Sequence, residues 1–390
     1  MNIVFFHING ISKTKGGVSK TTDTLCRVFR ENGHQVWCVG EKNIESDNAF
    51  DEWQLFLPDA ENILSPANIT FLSDFVKEKQ VDVIINQASQ TDRTVVFLAQ
   101  IKERTGVMLF SCIHNSILTP AYNGAYQKEF LLKKRHLGFV FDLMKLPLVK
   151  QLLVAMYIRR DRHRYLRLLK ESDKVVVLCE GQKEELLKMC GTNDDSKVAV
   201  IPNIQEPATD DDRNVGKQNT VLWVGTFDYS IKRADYMLRI WKMVMNDHPD
   251  WSLKLLGDGP SFNEMKELSQ QMKLKNVTFE GRVNPQEYYK SASIACITSV
   301  HESFSLVATE AHSYGVVPVA FDSFTAARLV IDDGKDGLLV KPFDLDEYAS
   351  ALSRLMSENR RREEMSQSAR QGIEKFSPHA VYGAWNQLLG

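Results

Sequence analysis

Two carboxylates eight residues apart, Glu302 and Glu310, lie inside the segment Ser299–Ala311. A strand pattern ends near Ser299, and Glu302 falls in a short loop. A helix begins at Ser303 or Ser305, either of which can cap it. The first turn of such a helix offers free backbone N–H groups and a partial positive charge, a setting that suits a diphosphate. Glu310 then lies about two turns into the helix and Glu302 at its mouth. So placed, the two acids could hold hydroxyl groups at opposite ends of a nucleotide sugar. Taken by themselves, the glutamates at this spacing are more often solvated or cap-bound residues. His114 closes an apolar strand, where a hydrogen-bonded structural histidine is the ordinary case.

The elements that must position these groups follow a repeating pattern. In the first part, strands are expected at Ile3–Ile8, Gln35–Gly40, Val81–Asn86, Val107–His114, Lys174–Cys179 and Lys197–Pro202. Helices alternate with them near Lys20–Asn32 (stopped by Gly33), Thr94–Arg104 and Gly181–Cys190. A polar, acidic stretch, Gln205–Asn214, has no apolar periodicity and reads as a linker. The alternation then restarts, with strands at Thr220–Val224, Ser252–Leu256, Val277–Glu280, Ile294–Thr298 and Val317–Ala320. Helices are expected at Ala234–Asn246, Phe262–Met272, Pro285–Lys290 and Leu306–Ser313, and over Asp346–Glu374 and His379–Leu388. Strands alternating with helices predict parallel sheets with crossovers, here twice over. The expectation is two Rossmann-like α/β domains facing a deep cleft, with ligands at the carboxyl ends of the strands. The first domain spans 1–204, with an insertion at about 119–170. The second spans 205–376, and a last helix, 377–390, crosses back.

With 390 residues, 48 Lys+Arg and 50 Asp+Glu, the net charge is −2, and bulk charge argues against a nucleic-acid binder. The charge is uneven. Lys128–Lys170 holds 12 Lys/Arg against Glu129, Asp142 and Asp161, a local +9, so the remainder carries −11. The same segment contains the apolar runs Leu146–Val149 and Leu152–Ile158. Basic residues beside apolar helical stretches suit a surface resting on anionic lipid. A helix pair with a solvated basic face and a core-facing apolar side explains them as well. No uncharged apolar run of about 18 residues appears, and no signal-peptide pattern, so a cytoplasmic chain is expected, at most peripheral on the inner membrane face. The six scattered cysteines include no C-x-x-C pair, and reduced thiols are expected.

The order of short motifs resembles glycosyltransferase family 4, retaining enzymes of the GT-B fold. In the second half these motifs are Val224-Gly225-Thr226 followed by Lys232, Leu256–Pro260, Phe279–Val283, Glu302-x7-Glu310-Ala311, Gly315–Val319, Gly337–Val340 and Pro342-Phe343-Asp344. In the first half they are Gly16-Gly17-Val18, Gly33–Val36, Ile113-His114-Asn115 and Val200–Asn203. The resemblance spans nearly the whole chain except Thr119–Leu169. It implies that Glu310 holds the ribose hydroxyls and that Glu302 contacts the transferred sugar. Backbone N–H groups at Ser305 and Leu306 touch the diphosphate, with the sugar beside Phe304. Lys232 neutralises the leaving diphosphate, His114 reaches the donor sugar, and Gly16 and Gly17 allow close backbone approach.

The implied reaction moves a hexose-type sugar from a nucleotide-diphosphate sugar to a glycan or lipid-linked acceptor, in surface polysaccharide or lipopolysaccharide synthesis. No metal or other cofactor is implied. Two departures stand out. The family often carries Arg where Thr226 stands, and Arg233, at a position often Gly, is expected to supply the missing charge. Glycine is also common in place of Ser303 and Ser305.

Competing readings carry less. Lys15–Thr22 resembles the variant phosphate-binding loop of chromosome-partitioning ATPases, but Ser19 and Thr14 stand where that loop wants glycine. An epimerase or phosphorylase of the same architecture is disfavoured by the Glu-x7-Glu arrangement. A catalytically inactive sugar-nucleotide-binding homologue has Thr226 as its best support.

Overall fold

The computed structural model describes residues 1–11, 16–43, 53–213 and 215–390. The chain divides into two compact units. The first comprises Met1–Ile117, Ile158–Ile204 and Phe376–Gly390, and the second Leu118–Tyr157 and Gln205–Lys375.

The first unit carries a seven-stranded parallel sheet. Its strands are β1 (Asn2–Asn9), β2 (Gln35–Lys42), β3 (Gln54–Phe56), β4 (Val83–Asn86), β5 (Met108–Cys112), β6 (Lys174–Val177) and β7 (Val198–Val200), in the order β3-β2-β1-β4-β5-β6-β7. The central strands are continuous apolar runs because helices cover both faces. Ile3–Phe6 and Val83–Ile85 have no exposed surface at all. Helix Gly17–Glu31 follows β1 and ends where Gly33 takes a left-handed φ of 85°. Patterning assigns no element between Gly40 and Val81. The structure places β3 there, and also helix Pro66–Glu78, opened by a Ser65 cap with Pro66 in the first turn. The C-terminal helix Pro378–Leu389 packs on the first helix of this unit. Phe29 meets Tyr382 and Trp385 edge-on at 5.4 and 6.2 Å, and Tyr382 hydrogen-bonds His34 at 2.9 Å.

The second unit repeats the plan with six parallel strands. They are β8 (Thr220–Val224), β9 (Ser252–Leu256), β10 (Val277–Gly281), β11 (Ile294–Ile297), β12 (Val317–Phe321) and β13 (Leu338–Val340), in the order β10-β9-β8-β11-β12-β13. Trp223, Phe227, Trp241, Leu253 and Tyr348 anchor its core. Within the stretch read as an unstructured linker, Asp210–Arg213 forms one helical turn, and Asp212 pairs with Lys290 at 3.0 Å.

The insertion departs from expectation. Residues 118–157 cluster with the second unit rather than the first. They form helices Thr119–Tyr122, Gly124–Lys134 and Gly138–Lys145 and the start of the long helix Pro147–Glu171. Long-range side-chain partners decide this placement, and sequence periodicity does not report them. Among the described residues no helix is long and apolar enough to cross a membrane. All six cysteines are free and buried.

Burial also sets an acid limit. His312, 1% exposed, hydrogen-bonds the Asp336 carbonyl at 3.2 Å, and burial holds its pKa down at about 4. The unfolded chain, with a pKa near 6.5, binds the proton first. Stability is therefore intact above pH 6.5 and falls as pH drops toward 4, by up to about 3 kcal/mol from this group. Asp336, itself pushed up by burial, offsets part of that loss. Urea unfolding from pH 7.5 to 4.5 should show the decline, and His312→Gln should make it shallower, the remainder coming from other buried histidines such as His114. Trp385→Ala should destabilise the first unit by about 3–5 kcal/mol in the same assay.

Candidate functional site

In the second unit the strand order reverses between β8 and β11, which lie side by side and parallel. Loops at the carboxyl ends of two such strands open next to each other, the place where ligands bind in these sheets. The loop after β8 runs from Gly225 to Arg233, and the loop after β11 from Thr298 to Ser305. Backbone packs on backbone beneath the first loop. A Cβ on Gly257 would lie 1.9 Å from the Gly225 carbonyl oxygen, and one on Gly259 2.6 Å from that of Phe227. The Phe227 N–H donates to the Asp258 carbonyl at 3.0 Å. A Cβ on Gly225 would lie 3.2 Å from the Trp223 ring and 3.3 Å from the Lys232 side chain. Thr226 is exposed beside them.

Asp228 shapes the turn that follows. One carboxylate oxygen accepts from the Ser230 N–H, the Ser230 hydroxyl and the Ile231 N–H at 2.6–2.8 Å. The two loops are then stitched together. The Val300 N–H donates to the Ile231 carbonyl at 2.7 Å. The Thr298 hydroxyl, which accepts the Trp223 indole N–H, is shared between the carbonyls of Lys232 and Arg233. This framework brings Lys232 Nζ to 2.5 Å from Glu302 Oε1, which also accepts from Ser299 Oγ at 2.7 Å. Both side chains keep some solvent access, 24% for Lys232 and 12% for Glu302.

Helix Leu306–Ser313 starts at this point. Its N-cap, Ser305, is left-handed, with φ 72° and ψ 77°. That conformation costs a residue bearing a Cβ about 1–2 kcal/mol, which accounts for glycine being common here in the resembling family. The Ser305 hydroxyl is buried and finds no hydrogen-bond partner among the described residues. The Phe304 ring is buried as well, at 1% exposure. A sugar near Phe304 would therefore meet the loop backbone and not the ring face. Glu310, one turn in, is 9% exposed and lies beside the buried Tyr289 hydroxyl, whose pKa is driven far up by burial and then by that carboxylate.

Arg233 overturns the expectation attached to it. It follows Lys232 in a left-handed conformation (φ 54°), which turns its side chain inward. The guanidinium is 1% exposed and grips Asp235 with two hydrogen bonds of 2.8 and 2.9 Å. It also bonds Glu129 and the Tyr126 carbonyl, each at 2.9 Å. A buried cation so committed is not presented to a diphosphate, and the charge absent at Thr226 is not replaced by Arg233.

In the first unit, His114 follows β5. Its Nε2 is hydrogen-bonded to the Gln87 amide oxygen just past β4. Burial, with His7 nearby, holds its pKa at about 4, so the ring is neutral at physiological pH. Gly16 caps helix Gly17–Glu31 with φ 71° and ψ 148°, a region open essentially to glycine alone, and among the described residues nothing beyond its chain neighbours lies within 4 Å of where its Cβ would be. Lys15 and Thr14, part of the competing phosphate-loop reading, lie outside the described residues. Patterning had not singled out Ser299, Thr298 or Asp228. Of these, only Asp228 has a local signal, an Asx-type turn two and three residues ahead of Ser230 and Ile231.

The sequence and the fold both have relatives. Residues 15–205 match the family described as Glycosyltransferase Family 4, and residues 205–372 the one described as Glycosyl transferases group 1. An uncharacterized glycosyltransferase of Haemophilus influenzae is 29% identical over 219 residues, covering 56% of this chain and 61% of that protein. The amylovoran biosynthesis glycosyltransferase AmsD of Erwinia amylovora is 30% identical over 229 residues, covering 56% and 62%. The aligned region thus spans about three-fifths of each of these relatives. Among solved structures, Anabaena HepE in complex with UDP-glucose superposes with a TM-score of 0.72 at 16% identity, covering 100% of this chain and 99% of that one. The lipopolysaccharide outer core galactosyltransferase WaaB gives 0.68 at 17%, covering 99% and 98%. The fold is GT-B, and the chain belongs to glycosyltransferase family 4.

Proposed function

We propose that the protein transfers a hexose from a nucleotide-diphosphate sugar to a glycan or lipid-linked acceptor, with retention at the anomeric carbon, in surface polysaccharide or lipopolysaccharide assembly. The observation that carries this reading is the Lys232–Glu302 pair, 2.5 Å apart at the mouth of helix Leu306–Ser313. The N–H groups of Ser305 and Leu306 and the helix dipole receive the diphosphate. Lys232 then turns from Glu302 to phosphate, and Glu302 is released to accept from a hydroxyl of the sugar. Glu310 holds the ribose hydroxyls, and His114, with its neutral ring, hydrogen-bonds the donor sugar. Gly225 and Thr226, with Gly16 and Gly17, offer backbone at close approach. The acceptor hydroxyl attacks on the face from which the diphosphate leaves. The bond from the anomeric carbon to phosphate oxygen breaks as the new glycosidic bond forms, and the departing phosphate oxygen takes the acceptor proton. The protein's part is positioning and electrostatic stabilisation, and the scheme calls for no metal.

The acceptor side of the proposal places 118–157 on an anionic membrane surface. Leu131, Phe139, Leu143, Leu146, Leu148 and Leu152 are all 49–80% exposed there. Six Lys/Arg accompany them against Glu129 and Asp142, and Glu129 is buried. Lys133, Lys134 and Lys145 are paired with Glu129, Glu264 and Asp142, and the basic excess beside these apolar side chains suits insertion at an anionic headgroup layer, at about 1 kcal/mol per basic residue near the surface.

One observation favours an inactive, donor-binding homologue. With Arg233 buried, Lys232 alone supplies side-chain charge from its loop to a diphosphate. Turnover separates the two readings. In a thermal-shift screen of UDP-, GDP- and ADP-sugars, a donor at 100 times its Kd should stabilise by about 2.7 kcal/mol. Lys232→Ala and Glu302→Ala should each lower kcat about 10²–10³-fold with the fold intact. Near-wild-type turnover in both variants defeats the assignment. Phosphatidylglycerol vesicles should carry the protein upward in a flotation gradient at low salt, and phosphatidylcholine vesicles should not. The double substitution Phe139→Glu with Leu148→Glu should reduce flotation at least tenfold. Absence of flotation with either lipid removes the membrane from the proposal.

A further inference from the structure

Helix Gly124–Lys134 belongs by sequence to the first half of the chain, yet its side chains grip the two loops that carry Lys232 and Glu302. Asn123, directly before it, donates to the carbonyl of Val300 at 2.7 Å and to that of Ser323 at 2.9 Å. Phe130 stacks flat on Tyr229, three residues ahead of Lys232, with ring centroids 3.3 Å apart. Between these contacts lies a buried ionic cluster. Glu129, 5% exposed, accepts from Arg233 Nη2 at 2.9 Å, from Lys133 at 2.6 Å and from the Tyr236 hydroxyl. The Tyr236 ring lies 3.5 Å from the Arg233 guanidinium. Burial by itself would raise the Glu129 carboxyl, but these partners outweigh it and hold the pKa at about 2, so the pair is fully charged.

The cluster bears directly on the backbone of Lys232. The Arg233 peptide unit is left-handed and its carbonyl shares the Thr298 hydroxyl with that of Lys232. The direction of Lys232 therefore depends on where Arg233 is tied, and it is tied on one side to its own helix, through Asp235, and on the other to the insertion, through the Glu129 carboxylate and the Tyr126 carbonyl. A buried guanidinium has few alternative places to go, because leaving its carboxylates would strand charge in the interior. We propose that the Glu129–Arg233 pair makes helix Gly124–Lys134 a brace of the candidate site, holding the Lys232 ammonium against Glu302. Glu129, Arg233 and Tyr236 are on this view positioning residues. The catalytic consequence rests on the function proposed above, whereas the brace itself does not.

Two readouts keep these apart. Trace acetylation of the full chain with acetic anhydride, quantified at Lys232 by mass spectrometry, needs no substrate. Glu129→Gln should raise labelling of Lys232 at least threefold over wild type, with surface lysines such as Lys170 unchanged. With whichever donor the thermal-shift screen selects, kcat should fall at least tenfold while KM moves less than threefold. Unchanged labelling in a folded Glu129→Gln variant overturns the brace, whatever the activity. Raised labelling with unchanged kcat overturns its part in catalysis. Should Glu129→Gln fail to fold, Tyr236→Phe removes the hydroxyl that donates to Glu129 and keeps the ring. Labelling of Lys232 should then rise about twofold, and no rise overturns the proposal.

Discussion

A lysine ammonium and a carboxylate 2.5 Å apart, at the start of a helix, are the constraint around which the second unit is arranged. Opposite charges attract at that distance without help, but side chains of this length wander unless their backbones are fixed. Here both backbones are fixed by polar stitches. The Thr298 hydroxyl joins the two loops at the Lys232 and Arg233 carbonyls, Val300 joins them at Ile231, and Asp228 closes the turn before Lys232. Beneath them the glycines at 257 and 259 let two loops approach to a distance no Cβ would allow.

Two left-handed residues frame the pair. Arg233 and Ser305 each occupy a conformation that glycine adopts without strain. At Arg233 the cost is offset by a buried guanidinium with two carboxylates, a carbonyl and an aromatic ring around it. At Ser305 no such compensation is visible, and its buried hydroxyl finds no hydrogen-bond partner among the described residues. Local strain of this kind persists where the surrounding structure over-determines it, and it gathers at sites that hold ligands.

The insertion belongs with these features in the second unit. It clusters with the second unit, supplies Glu129 to the buried cation beside Lys232, and exposes a basic, apolar surface in the helices that follow. A reading by sequence order puts it in the first domain, since it follows β5 directly. What moves it is a handful of polar and aromatic contacts, Asn123 to Val300, Glu129 to Arg233 and Phe130 to Tyr229, each linking residues about 100 or more positions apart. Separation of that size leaves no local trace.

The sequence alone determined the alternation of buried strands and amphipathic helices, hence two parallel sheets, and it marked Glu302, Glu310 and the glycines by type and spacing, whereas Lys232 stood out only through the resemblance of its motif to the family. Those features are legible because apolar periodicity, capping residues and glycine act within a few residues of themselves. Short elements with weak periodicity, such as β3 and β13, were not distinguished from loops. The role of Arg233 was decided only by tertiary structure. Its charge suggested a partner for phosphate, yet burial beside Asp235 and Glu129 commits it inward. The meeting of Lys232 with Glu302, and the ownership of the insertion, were likewise set by long-range packing, because a charge's neighbours depend on which surfaces the folded chain brings together and not on its place in the sequence.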